Sequence, residues 1–236
     1  MNVEIKKSPR WQRLAAIFQN QVWTLERLVT DKESREQVAF LRDGPLKRHV
    51  ITRALELGLE NAAIPFLAVI PRNCMETSRQ ISFIRYNGVS GKAELNLDRI
   101  RDIEEIPHHH PYWAFGVDIG IETVNMTAKE AIEKIAVAKR RPFTLAEITA
   151  IYIQYPPILE FSANGCGSRY GETDDLGVPT ITCLQRPEAG WNHLNENKVG
   201  NVIKPWVSPS CLERMGNLGV MTYIQRRRWR KREGRE

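Results

Sequence analysis

Cysteine is scarce and scattered in this chain. Cys74, Cys166, Cys183 and Cys211 stand far apart and no Cys-x-x-Cys occurs, so the sequence lacks the close pair that marks a redox motif or a zinc clip. Long apolar runs are missing as well. No stretch reaches the roughly 18 apolar residues of a membrane-spanning helix. Lys6, Lys7, Arg10 and Arg13 lie in a mixed polar stretch with no apolar signal-type region. These absences together lead us to expect a cytoplasmic protein with reduced thiols. No internal repeat is visible, and no motif calls for a cofactor or a structural metal.

Acidic charge is heavily outnumbered in one place in particular. The chain of 236 residues has a formal net charge of +6. Its last segment, from Arg226 to Glu236, holds seven basic residues against Glu233 and Glu236, which is +5 and leaves about +1 for everything before it. The body is nearly neutral and the basicity is an appendage. A hydrophobic fraction of 42% supplies a sizeable core and argues against disorder as the main state. The length fits one large domain or two small ones.

Apolar periodicity opens in the helical register. After Pro9, the residues Trp11, Leu14, Ala15, Phe18, Val22, Leu25 and Val29 recur at three- and four-residue spacing. A second helix is expected from Lys32 to Arg42, and a third from Pro45 with Leu46, Val50, Ala54 and Leu57 on one face. Gly58 is placed to stop it, because glycine enters the left-handed region without a steric penalty. The period then changes. Ile64 to Ile70 reads as a buried strand, "QISFIRYNG" as a strand running into an Asn87–Gly88 turn, and "PYWAFGVDIG" as a third strand. Thr127 with Glu130, and Thr144 with Glu147, have capping-box spacing. The first of these helices is expected to end at Arg140-Arg141-Pro142 and the second at Pro156-Pro157. "VPTITCL" is a further strand in a loop-rich last third. The expected architecture is α+β: a helical N-terminal segment (1–60), an α+β domain (61–224) and a basic tail (225–236). The domain would hold a central mixed β-sheet with two flanking helices and a loop-rich β C-terminal part. The regular strand–helix alternation of a doubly wound nucleotide-binding fold is missing.

The ordered series "IPFLAVIP", "PYWAFGVDIGIETVNMTAKEAI", "PFTLAEITAIYIQYPPIL", "GSRYG" and "VPTITCLQRPEAGWNHLNEN" resembles an uncharacterised bacterial family known only as a domain of unknown function. The resemblance covers roughly residues 61–211. It implies that Asp118, Gly120, Ser168, Arg169, Gly171, Pro179, Gly190, Trp191 and Asn195 match the family pattern, and it carries no activity. The loop "GETDDLGVP" after Gly171 departs from that pattern in length and acidity.

Candidate chemistry concentrates in a few places. In "NGCGSRYG" (164–171), a cysteine-phosphatase loop would need an arginine six residues beyond Cys166, where Glu172 stands instead. A Walker loop would need a lysine before Ser/Thr, and there is none. What remains is a glycine-rich stretch in which Ser168 and Arg169 can hold an anion. The plainer alternative is a turn whose arginine pairs with Asp118, Asp174 or Asp175. Asp118, at the end of a strand, can serve a ligand or acid–base chemistry with Glu122, or can bond its own turn. His108 and His110 have the strand spacing of metal ligands, but nothing in the sequence places a third ligand beside them. Trp191 with Asn195 and its neighbouring amides can stack on a ring, or can close over the core. The tail is the most specific signal. Arg226, Arg227, Arg228, Arg230, Lys231 and Arg232 surround Trp229, six cations in seven positions with a stacking surface among them. Two function classes follow. One is a non-enzymatic RNA- or ribosome-associated protein tethered by this tail. The other is a small enzyme or ligand-binding domain with an anion-holding pocket near Asp118, Arg169 and Trp191, for which no catalytic set can be named.

Overall fold

The computed structural model describes residues 8–86, 89–93, 96–103, 106–123, 126, 128–157, 163–164, 166–170, 178–183, 205–210, 219–220 and 222–224. Three helices open the chain: α1 (Pro9–Leu28), α2 (Lys32–Arg42) and α3 (Gly44–Glu56). Each starts where its first residues dictate. The Ser8 hydroxyl accepts from Trp11 N at 3.2 Å, and Pro9 occupies the first turn of α1, where no N–H is needed. Asp31 accepts from Ser34 N at 2.9 Å at the start of α2. Gly58 lies at φ +67, with Leu59 N bonded to Ala54 O at 2.9 Å, closing α3 as the sequence suggests. The buried face of α1 comprises Trp11, Leu14, Phe18, Val22 and Leu25 at the expected spacing, and Gln21 joins it.

β1 (Ile64–Val69) is buried at every position and pairs antiparallel with β6 (Tyr112–Val117), Ile64 opposite Val117 and Val69 opposite Tyr112. Phe18 of α1 stacks on Trp113 of β6 at 4.5 Å between ring centroids, and Phe66 of β1 meets Trp113 edge-on at 5.4 Å. One cluster of buried side chains runs from Trp11 to Ile153, so the N-terminal helices share their core with the strands.

The segment read as the strand "QISFIRYNG" begins inside a helix, α4 (Thr77–Phe83). The chain turns extended at Ile84, and β2 (Arg85–Tyr86) pairs with β3 (Val89–Ser90). Gln80, Ile81 and Ile84 are the buried positions, a one-sided helical spacing that short alternation in the sequence disguised. Asn87 and Gly88, between the paired strands, lie outside the described residues. β4 (Lys92–Ala93) and β5 (Ile100–Asp102) precede β6. α5 (Ala128–Val137) follows, and the expected Thr127 cap lies outside the described residues. α5 ends at Val137, before the basic pair, and Arg140–Pro142 form a strand of their own, β7. α6 (Leu145–Gln154) carries the expected Thr144–Glu147 capping box and stops at Tyr155 before Pro156.

The C-terminal part is β-rich. β8 (Ala163–Asn164), β10 (Val178–Cys183), β11 (Pro205–Ser210) and β12 (Gly219–Val220) join β4 in a five-stranded mixed sheet of order β12-β8-β10-β11-β4. β9 (Ser168–Tyr170) pairs with β5, and β13 (Thr222–Ile224) with β7. The fold is α+β, as expected.

The edge of β1 that faces away from β6 is also buried, and its polar groups are met by side chains. Gln21 Nε2 donates to Phe66 O at 2.7 Å, and Gln21 Oε1 accepts from Ala68 N at 2.8 Å. Gln154 Nε2 donates to Ala68 O at 2.7 Å. Replacing Gln21 by leucine leaves two buried backbone groups without these bonds, at about 1–3 kcal/mol each. Gln21→Leu is therefore expected to lower unfolding free energy by about 3 kcal/mol in urea titration, and a change below about 0.5 kcal/mol would show that the edge is satisfied otherwise.

Asp31 yields a pH prediction. The backbone hydrogen bond from Ser34 is the main force that holds its carboxyl at about 2, with the Arg79 contact adding to it. A depressed carboxylate contributes stability above its unfolded value of 3.8 and loses it as pH falls toward about 2. Asp31→Asn keeps a capping side chain but has no proton to take up. Its stability should fall less steeply than that of the parent chain between those two pH values.

Candidate functional site

Glu147 is a carboxylate in a helix that is apolar nearly all round, "LAEITAIYIQ", and it is fully buried. Its local role comes from the capping box: Thr144 N donates to Oε2 at 2.8 Å and the Thr144 hydroxyl to Oε2 at 3.0 Å. Its other oxygen faces two residues from strands. The Tyr112 hydroxyl donates to Oε1 at 2.6 Å, and an Arg141 guanidinium nitrogen lies 3.6 Å away. Burial pushes the Glu147 carboxyl up, while the Arg141 charge and the donors from Tyr112 and Thr144 pull it down. The Tyr112 phenol is pushed well above its ordinary range by burial and by the neighbouring Glu147 charge. The phenol stays a neutral donor and the glutamate is its acceptor.

A second set adjoins the first through the start of α6. The Ser168 hydroxyl, fully buried, accepts from Leu145 N at 2.9 Å and donates to Asp102 Oδ1 at 2.5 Å. Asp102 and Ser168 face each other in the β5–β9 register, and Arg72 Nε approaches the other Asp102 oxygen at 3.9 Å. The first turn of a helix leaves N–H groups without helical partners. Thr144, Glu147 and Ser168 satisfy that turn from three directions. Nucleophilic catalysis would need a base beside the hydroxyl and access for substrate. Ser168 has the Asp102 carboxylate beside it, but access is missing: the hydroxyl is fully buried and already accepts from Leu145 N, and the interior members of the set are sealed from solvent. The arrangement can fix the end of α6 and hold charge in the core.

Gly167, in the loop "NGCGSRYG", has a packing role. Its N–H donates to Phe143 O at 2.8 Å, and its carbonyl accepts from Ile103 N at 2.9 Å. A Cβ here would sit 2.9 Å from the Phe143 carbonyl carbon and the Pro142 oxygen, so only glycine lets these backbones approach. Cys166 beside it is buried.

The remaining sequence-derived candidates disperse. Asp118 is exposed and accepts from Gly120 N at 2.7 Å, a turn-forming bond, with the Arg140 charge nearby. Arg169 stands opposite Arg101 in β9, and its side chain is outside the described residues. Trp191, Asn195, and Arg226, Arg227, Arg228, Trp229, Arg230, Lys231 and Arg232 also lie outside the described residues. His108, His109 and His110 are exposed, and the His110 ring stacks on Phe40 at 5.5 Å. Among the described residues no three His, Cys, Asp or Glu side chains gather to hold a metal ion, and no helix is long and apolar enough to cross a membrane. An apolar void of about 10 Å³ between Leu25, Val29, Ile70, Met75, Phe83 and Ile153 is water-sized at most.

Sequence reading singled out Glu147 only as a helix cap. The further signal was its isolation: one carboxylate among Leu145, Ile148, Ile151 and Ile153 must find partners from elsewhere in the fold. Nothing local pointed to Tyr112 or Arg141.

A family model matches residues 30–203. The chain belongs to a family of unknown function, DUF5701. The family match begins earlier than the resemblance at 61–211, taking in α2 and α3, and it leaves out all of α1. No curated protein matches the chain, and no solved structure does.

Breaking a buried ion pair from one side costs about 3–5 kcal/mol, because the other charge stays behind. Glu147→Ala is expected to lose that much in chemical denaturation. Tyr112→Phe should lose about 1.5–3 kcal/mol, the value of a hydrogen bond to a charged group, and much less once Glu147 is already alanine. Additive losses would mean that the two side chains do not act as a unit.

Proposed function

We propose that this protein is a non-enzymatic, cytoplasmic, RNA- or ribosome-associated protein, tethered by its arginine-rich C-terminal tail. The observation that carries the reading is the charge distribution: +5 of the net +6 lies in the last eleven residues. Clustered cations repel one another and seek polyanions. Arginine forks match phosphate oxygens bidentately, and an intervening tryptophan adds a surface for a base. Single-stranded or looped RNA offers both phosphate and unstacked bases. Support also comes from the body of the fold. Ser168 is engaged by Leu145 and Asp102, and Asp118 by its own turn, so both described side chains of the rival anion pocket already serve local structure.

The test compares the full chain with one ending at Gln225 for binding to an unstructured uridine-rich RNA across salt. With about six phosphate contacts, affinity should drop by roughly three hundredfold between about 50 and 200 mM salt, and truncation should remove that dependence. Equal binding by both chains, or preference for anionic vesicles over RNA, would reject the proposal.

A further inference from the structure

We infer that the RNA interface extends from the tail onto the folded body, at the turn Val137–Ala138–Lys139 between α5 and β7. The inference rests on the reading above. It is motivated by where the last described strand leads. β13 runs antiparallel to β7, with Thr222 opposite Pro142, Tyr223 opposite Arg141 and Ile224 opposite Arg140. Chain direction in that ladder carries β13 toward lower numbers on β7, so it ends heading for Lys139. Arg226 follows Ile224 by two residues, a reach of at most about 7 Å. The described chain therefore reaches this turn at Ile224, and the basic tail follows it in sequence.

The turn has its own unusual features. Lys139 sits at φ 55, the one non-glycine residue with positive φ among the described residues. Its N–H bonds to Ala136 O at 2.9 Å, in the position where glycine commonly ends a helix. A lysine where glycine fits best points to a use for the side chain. That side chain is exposed and makes no ion pair among the described residues. Val137, beside it, is 85% exposed, the most exposed large apolar residue described. From Val137 to Pro142 there is no acidic residue; Arg140 donates to Gly116 O at 2.6 Å and Arg141 is buried against Glu147, so Lys139 is the exposed cation of the turn. The C-terminal end of α5 carries partial negative charge that would by itself disfavour phosphate, and Lys139 offsets it at that point. In this arrangement the tail's arginines and Lys139 hold successive phosphates, and the Val137 methyls pack on a ribose or base face between them.

These roles leave different signatures with the same uridine-rich RNA and the full chain. Lys139→Ala should weaken binding and reduce the slope of log affinity against log salt by about 0.7, one single-strand phosphate contact. Lys139→Arg should restore the slope. Val137→Ser should weaken binding with the slope unchanged. A flexible glycine–serine insert after Gln225 should also weaken binding, because it lengthens the tether between the turn and the tail. If truncation at Gln225 abolishes binding while Lys139→Ala and Val137→Ser bind as the parent chain does, the interface is the tail alone and this inference falls while the tether stands. If the full chain does not bind the RNA, both fall together.

Discussion

A buried strand must have both of its edges satisfied, and in this fold the constraint falls on β1. One edge is met by β6 and the other by glutamine side chains. Phe66 and Ala68, two residues apart, turn their backbone groups to the same side. There Gln21 presents its amide as a short substitute for a neighbouring strand, receiving one bond and giving another. Gln154, from α6, takes the remaining carbonyl. Buried amide groups left unpaired cost more than most packing contacts gain, so this arrangement fixes the depth and rotation of α1 and α6 against the strand. The aromatic contacts of Phe18, Phe66 and Trp113 then fill the space these bonds define.

The second organising element is the start of α6. It is a helix buried on every side, so its first-turn N–H groups cannot turn to water. Thr144 and Glu147 cap it locally, and Ser168 reaches in from β9. Glu147 brings a charge into the core as the cost of that cap, and Tyr112 and Arg141 answer it. Gly167 brings β9 close enough for Ser168 to reach. The polar cluster thus has a structural explanation from one helix end outward.

Features set by neighbouring residues were legible in the sequence. The apolar face of α1, the Gly58 stop and the Thr144–Glu147 box depend on residues within a turn of each other, and each stands in the structure as expected. α4 was misread because a seven-residue helix is too short for its period to separate from alternation. Gln21 read as an ordinary polar residue of an amphipathic helix, since its partners lie 45 and 47 positions away. The same holds for Tyr112 with Glu147, 35 positions apart. "NGCGSRYG" drew attention for its thiol and guanidinium, whereas the described packing turns on a glycine and a serine whose partners are Phe143, Leu145 and Asp102. Residue type announced polarity in these places, but only the fold announces the partner.

The family match begins at residue 30, after α1 has ended. Yet α1 supplies Gln21, and with it the cover for the outer edge of β1. The region that relatives share and the unit that folds are therefore different lengths of chain. A protein trimmed to the shared region would keep Gln154 on Ala68 O but would leave Phe66 O and Ala68 N open, flanked by apolar side chains, to any other copy it met. Such an edge is a template for lateral pairing between chains. In this sense the first helix acts as a guard against self-association as much as a part of the core.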